Sequence, residues 1–250
     1  MQAINWSAID RRSLLGRALR APLALIPNNS VMRIRGGAAQ GMRWVAGATT
    51  HGCWLGTYER DKQTALAQFL RPGMVTYDLG AQAGFYTLTM SRAVGPSGTV
   101  IAFEPSVYEV PVLLRHLRLN HLTNVRVVAA AASDRCGLDG FTIDRGRTQN
   151  SLVAPDGAGL IINTITLDSA DLPPPDLIKM DVEGAEGAVL RGALRMLERH
   201  HPIVFVALHS DEQKKICGDL LRSLKYSLFD LAGNEIAGTP KTDEIYALRP

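Results

Sequence analysis

The residues best suited to chemistry in this 250-residue chain are acids that close short apolar runs. Val75-Thr76-Tyr77-Asp78-Leu79-Gly80-Ala81-Gln82-Ala83-Gly84-Phe85-Tyr86-Thr87 reads as a strand ending in an acid, a turn with two glycines, and a helix opened by aromatics. Glycine lets backbone approach a ligand where a side chain would collide, and the first amides of a helix favour an anionic group. Asp78 could receive an ammonium group, while Gly80, Ala81, Gln82, Gly84, Phe85, Tyr86 and Thr87 would cradle the rest of the ligand. Val100-Ile101-Ala102-Phe103-Glu104-Pro105 supplies a second strand closed by an acid. Glu104 could accept hydrogen bonds from both hydroxyls of a ribose, with Pro105 beside it. This succession points to S-adenosylmethionine as cofactor and to methyl transfer. A dinucleotide fingerprint would place glycine where Gln82 stands, which argues against a nicotinamide cofactor.

A second cluster is Asp176-Leu177-Ile178-Lys179-Met180-Asp181-Val182-Glu183-Gly184-Ala185-Glu186. Lysine avoids buried strands unless it is paired, so Lys179 is expected to meet an acid at the sheet edge or to reach a substrate. Methyl transfer from a sulfonium is an in-line displacement, and an alcohol acceptor must shed its proton as it attacks. Asp181 is the best-placed carboxylate. His209, closing Val204-Phe205-Val206-Ala207-Leu208, is the best-placed imidazole. The sequence shows no second ligand for a metal on Asp181, so no metal site is expected.

These groups need a scaffold. From residue 74 onward, apolar patterning predicts strands at 74–79, 99–104, 125–130, 176–181 and 202–208. It predicts helices at 85–94, 110–121, 185–198 and 211–224, with a further helix at 59–70. Short strands are expected at 138–143 and 160–167, and two more at 226–229 and 244–248. Alternating strands and helices imply an α/β fold with a parallel sheet covered on both faces, and ligands there bind beyond the carboxyl ends of the strands. Asp78, Glu104 and Asp181 all fall at such ends.

The organisation reads as a basic arm (1–30), a cap or substrate region (31–72) and a cofactor-binding domain (73–250). Arg11, Arg12, Arg17 and Arg20 against Asp10 account for the whole net charge of +3, so the remainder is balanced. That balance gives no basic face for nucleic acid, and no nucleic-acid partner is expected. No apolar run is long enough to span a membrane; the arm is read as packed or solvated, with weak membrane or partner adhesion as the other reading. Cys53, Cys136 and Cys217 are odd in number and far apart, which suits reduced thiols and a cytoplasmic location. Acceptor contacts are expected from the loosely patterned segments, with His51, Tyr58 and Asn150 as candidates.

These residues resemble the FkbM-type S-adenosylmethionine-dependent methyltransferases. The resemblance covers roughly residues 40–230. It rests on Gly56-Thr57-Tyr58-Glu59, the turn from Asp78 to Thr87, Ala102-Phe103-Glu104-Pro105, Leu119-Asn120, Leu122-Thr123-Asn124-Val125, Ile165-Thr166-Leu167-Asp168, the run from Ile178 to Glu186, and Val189-Leu190-Arg191-Gly192-Ala193. It implies a seven-stranded Rossmann-like sheet and O-methylation of a hydroxyl on a sugar, glycan or polyketide. It implies cofactor contacts from Asp78, Gly80, Gly84 and Glu104, with Ala131, Ala132, Ser133 and Asp134 by the adenine. Asp181, Glu183 and Glu186 would line the reacting side, and Glu59 is carried along as an acceptor candidate. Two positions depart from the family pattern. Gln82 stands where the family has Asn, and Ala207-Leu208-His209 replaces Glu-x-His, so His209 is expected to lack its orienting carboxylate. A nicotinamide-dependent oxidoreductase and a non-catalytic cofactor-binding module are the competing readings.

Overall fold

The computed structural model describes residues 22–23, 25–143, 150–151 and 159–249; the side chains of 142, 143, 150 and 151 are outside that description. Most of the basic arm (1–21 and 24) and most of the loop between 144 and 158 therefore lie outside it. So does the side chain of Asn150.

The chain begins with β1 (Val31–Arg33) and β2 (Arg43–Val45), an antiparallel pair, followed by α1 (Gly52–Leu55) and α2 (Arg60–Phe69). Then come β3 (Val75–Leu79), α3 (Phe85–Val94), β4 (Thr99–Phe103), α4 (Glu109–Leu119) and β5 (Val125–Val128). A small excursion follows with β6 (Ala131–Ala132), β7 (Gly137–Ile143), β8 (Asn150–Ser151) and β9 (Leu160–Ile165). The main alternation resumes with β10 (Leu177–Met180), α5 (Glu186–Arg191), α6 (Leu194–His200), β11 (Ile203–Ala207), α7 (Asp211–Ser223), β12 (Ser227–Asp230) and β13 (Glu244–Leu248).

Seven strands form the central sheet in the order β12-β13-β11-β10-β3-β4-β5. The pairs from β5 through β11 are parallel, and β13 runs antiparallel to both its neighbours. Successive residues of a strand face opposite layers. In β3 and β10, Tyr77, Leu79, Ile178 and Met180 join the core of α5, α6 and α7, while Leu177 joins the core of α2, α3 and α4. Helices thus cover both faces of a Rossmann-like sheet, as the sequence implied. Ile34, Trp44, Trp54 and Leu66 bury residues 31–72 in the same core as α3 and α4.

The expected helix at 185–198 is two helices. A Cβ at Gly192 would run into the Ser133 carbonyl, and the Gly192 carbonyl accepts the Asp168 amide. Asp168 then caps α6 by accepting the amides of Arg195 (3.0 Å) and Met196 (2.8 Å). At the break Gly192 packs against Ser133, which follows β6 of the second sheet (β6-β9-β7-β8).

Candidate active site

Beyond the carboxyl ends of β3, β4 and β10 lies a cleft with two connected parts that share Gly80, Gln82, Asp181 and Glu183. The first part is walled by Phe103, Glu104, Pro105, Ala130, Ala131 and Ala132, and Phe141 of β7 closes it from the side. The second is lined by Tyr58, Glu59, Tyr86, Lys179, His209 and Glu244, with Ala81, Gly84 and Phe85 along its floor.

In the first part Glu104 is buried, and its carboxylate accepts the Gln82 amide (2.7 Å) and the Ser106 amide (2.8 Å). Burial pushes its carboxyl up to about 7, against those two hydrogen bonds. Such an acid, beside a small apolar pocket, suits a ribose whose hydroxyls donate to it. Ser133 is buried with its amide on the Ile165 carbonyl, and it does not line the cleft; its predecessors Ala130 to Ala132 do.

The two turn glycines are required by the fold itself. Gly80 and Gly84 both have positive φ (76° and 93°), and a Cβ on Gly80 would strike the Asp181 carbonyl. A Cβ on Gly84 would strike Leu113 of α4. Gln82 adopts φ 47°, a conformation that Asn tolerates better than Gln.

Asp78 is wholly buried and internally engaged: it accepts from Thr87 Oγ1 (2.6 Å) and pairs with Lys179 (3.2 Å). It ties β3 to α3 and β10 and is not among the residues that line the cleft; its Oδ1 faces Lys179 without a hydrogen bond, and Thr87 is buried with it. Lys179 meets an acid, as expected, and also donates to the Gly80 carbonyl (3.2 Å). Its ammonium reaches the cleft over the Tyr86 ring at 5.3 Å.

In the second part, His209 Nδ1–H donates to Glu186 Oε1 at 2.7 Å, and Glu186 is fully buried. Glu186 also accepts the Gly184 amide (2.9 Å). His209 thus has an orienting carboxylate, supplied from the start of α5 instead of from β11. Its other nitrogen, Nε2, faces Glu183 (3.2 Å) and Asp181 (3.4 Å). The Glu186 hydrogen bond, then the nearby carboxylates, raise His209 to about 9 against burial. Burial also raises Glu183. Burial would raise Asp181 too, but Lys179, Lys62 and His209 outweigh it and hold Asp181 below the ordinary carboxylate range. Donor atoms of Asp181, Glu183 and His209 lie within 4.8 Å of one another, neighbours that the sequence did not disclose, and the protonated imidazole pairs with both carboxylates.

Sequence reasoning missed Lys62 and Glu244. Lys62 is buried and meets Glu244 (2.7 Å), Asp181 (3.3 Å) and Glu59 (3.4 Å). A signal was present: Lys62 stands on the apolar stripe of α2 with Leu66 and Phe69, at i, i+4 and i+7. Among the acceptor candidates, Tyr58 and Glu59 line the cleft and Glu59 accepts from Tyr86 Oη (2.8 Å). Glu186 lies behind His209. His51 does not line the cleft, and its Nδ1 accepts the Trp54 indole N–H (3.1 Å).

The sequence matches the Methyltransferase FkbM domain over residues 78–236. This chain belongs to the FkbM methyltransferase family. Membership carries the methyltransferase assignment and S-adenosylmethionine as methyl donor, and it displaces the nicotinamide reading. Similar solved structures agree on the fold. An FkbM methyltransferase from Methylobacillus flagellatus KT aligns at TM-score 0.53 and 18% identity, over 70% of this chain and 43% of that one. This FkbM chain thus spans less than half the length of that relative. An S-adenosylmethionine-dependent O-methyltransferase from Thermotoga maritima aligns at TM-score 0.50 and 12% identity, over 89% of this chain and 78% of that one. A structure named as an rRNA methylase from Clostridium thermocellum also reaches 0.50 at 12% identity, over 74% and 92%. No curated protein sequence matches this one. Among the described residues, no helix is long and apolar enough to cross a membrane.

Proposed function

We propose that this FkbM-family protein is an O-methyltransferase for a hydroxyl of a sugar, glycan or polyketide-type small molecule, working in the cytoplasm. The observation that carries this is the buried Glu186 fixing His209 so that Nε2 faces the cleft. A carboxylate on one ring nitrogen stabilises the imidazolium formed when the other takes a proton, as in hydrolase triads. S-adenosylmethionine supplies an electrophilic methyl group on a sulfonium. Glu104 would hold the ribose hydroxyls, and the Gly80–Gly84 turn would lie against the amino-acid part. His209 would accept the hydroxyl proton at Nε2, freeing the acceptor oxygen to take the methyl group that the sulfonium would supply. Asp181 and Glu183 orient the hydroxyl. Carboxylates crowd this end of the cleft, which disfavours a phosphodiester backbone and supports a small neutral acceptor over nucleic acid.

The test is methyl transfer from a 13C-methyl-labelled donor to a panel of sugars, glycans and macrolides. A methoxy carbon signal is expected; an N-methyl or C-methyl product overturns the reading. With His209 as base, kcat/KM climbs about tenfold per pH unit up to about 9. E186Q lowers kcat/KM by about 100-fold and moves that limb to lower pH. A profile that is flat between pH 6 and 9 removes His209 from the role of base.

A further inference from the structure

Lys62 and two of its three partners lie outside the matched family region. Glu59 and Lys62 precede residue 78, and Glu244 follows residue 236. Yet they meet at the centre of the reacting end. The Lys62 ammonium faces one carboxylate from each of three elements: Glu59 at the entry to α2, Asp181 after β10 and Glu244 at the head of β13. It is almost completely buried, and it lies over the Tyr86 ring at 5.3 Å. Burying an ammonium here without partners would cost several kcal/mol, so the three acids are a condition of its presence. Lys62 takes Oδ2 of Asp181, whereas His209 faces Oδ1.

We propose that Lys62 is a positioning residue for proton transfer: by engaging Asp181 Oδ2 it turns Oδ1 to His209 and limits how strongly Asp181 holds the imidazolium. The inference rests on His209 being the proton acceptor. Six carboxylates and two ammonium groups set the charge that His209 meets. Asp181, Glu183 and Glu186 face it directly. The others act through Asp181: Lys179, paired with Asp78, stands 4.0 Å from that carboxylate, and Lys62 is shared by Glu59 and Glu244. Removing the Lys62 charge frees Asp181 for His209. Removing the Glu244 charge does the reverse, since Lys62 then turns wholly to Asp181 and Glu59. A residue with only a packing role would not give opposite signs.

The experiment follows the His209 imidazole resonance against pH in 13C-histidine-labelled full-length protein, assigned with H209Q. K62Q raises the His209 midpoint by about half to one pH unit, K62R restores it, and E244Q lowers it. Calorimetry with S-adenosylhomocysteine on the same samples reports the cofactor end separately. Loss of that binding in the wild type would defeat the proposed function and leave the Lys62 result readable. An unchanged midpoint in folded K62Q, or the same direction of change in K62Q and E244Q, overturns the role given to Lys62. If K62Q does not fold, K62R and E244Q still decide: E244Q must move the midpoint down and K62R must leave it in place.

Discussion

Cofactor affinity should depend on pH through Glu104, and the size of the effect follows from the site. In the free protein this carboxyl sits at about 7, because burial outweighs the amides of Gln82 and Ser106. Two ribose hydroxyls donate to a carboxylate and would add what burial removed, so the ionised form is the one that binds. Competence therefore tracks the ionised fraction, which is nearly complete at pH 8.5 and about 3% at pH 5.5, and apparent affinity falls about 30-fold between them. The direction is the reverse of a salt-bridged acid. The folded-state carboxyl lies above its ordinary value, so the free fold carries a cost of up to about 3 kcal/mol that grows as pH rises from about 4.5 to 7. Ligand binding returns part of that cost above pH 7 and releases a proton below it. Calorimetry with S-adenosylhomocysteine across pH 5.5–8.5, in two buffers of different ionisation enthalpy, measures affinity and proton release together. E104Q should bind about 10- to 100-fold more weakly at pH 8 and lose the dependence on pH. Wild-type affinity that stays level from 5.5 to 8.5, or an E104Q profile as steep as the wild type, would refute the assignment of Glu104 to the ribose.

Two further predictions concern the frame around the cleft. His116 joins three elements while neutral: Nε2 accepts the Val45 amide (2.9 Å), Nδ1–H donates to the Ala83 carbonyl (2.7 Å), and the ring stacks on Trp44 with centroids 4.0 Å apart. Burial lowers it to about 4, so its contribution is complete above pH 6.5 and is lost as pH falls toward 4, by about 3 kcal/mol; melting curves of wild type and H116F should converge over that window, and parallel curves would count against it. At Gln82, φ 47° favours a residue that tolerates the left-handed region, so Q82N should gain about 1 kcal/mol in urea denaturation, and a loss would show that the longer amide makes a contact worth keeping.

Much of this was legible in the sequence because parallel α/β sheets place functional acids at strand ends, where apolar runs stop abruptly. Asp78, Glu104 and Asp181 were located that way, and all three reach the expected edge. What each one does there was less legible. Asp78 reads as a ligand-facing acid; in the structure it is wholly buried, with Oδ2 accepting from Thr87 and Oδ1 facing Lys179. The Glu186–His209 pair was concealed by its spacing. Glu186 begins α5 and His209 follows β11, and the parallel pairing of β10 with β11 brings them together. The break at Gly192 depends on the Ser133 carbonyl and the Asp168 cap, contacts from remote parts of the chain that helical periodicity does not record. Phe141 reaches the cleft from a sheet whose connection crosses the poorly patterned segment, so no local pattern identified it.

The two parts of the cleft differ in what they demand of the chain. Around Glu104 the polar contacts come from the turn after β3 and the residues after β4, so one stretch of the chain encodes them, and Glu104 is tuned mainly by burial. The reacting end must hold several carboxylates together without driving them to protonate, which takes cations from separate elements. Lys179 comes from within β10, but Lys62 arrives from α2, and Glu244, which anchors it, from the last strand. The surrounding chain is thus required electrostatically as well as for packing. A fragment limited to the family-matched residues would keep Glu104, Glu186 and His209 but lose Lys62. Asp181 would then face the imidazole with one ammonium neighbour instead of two.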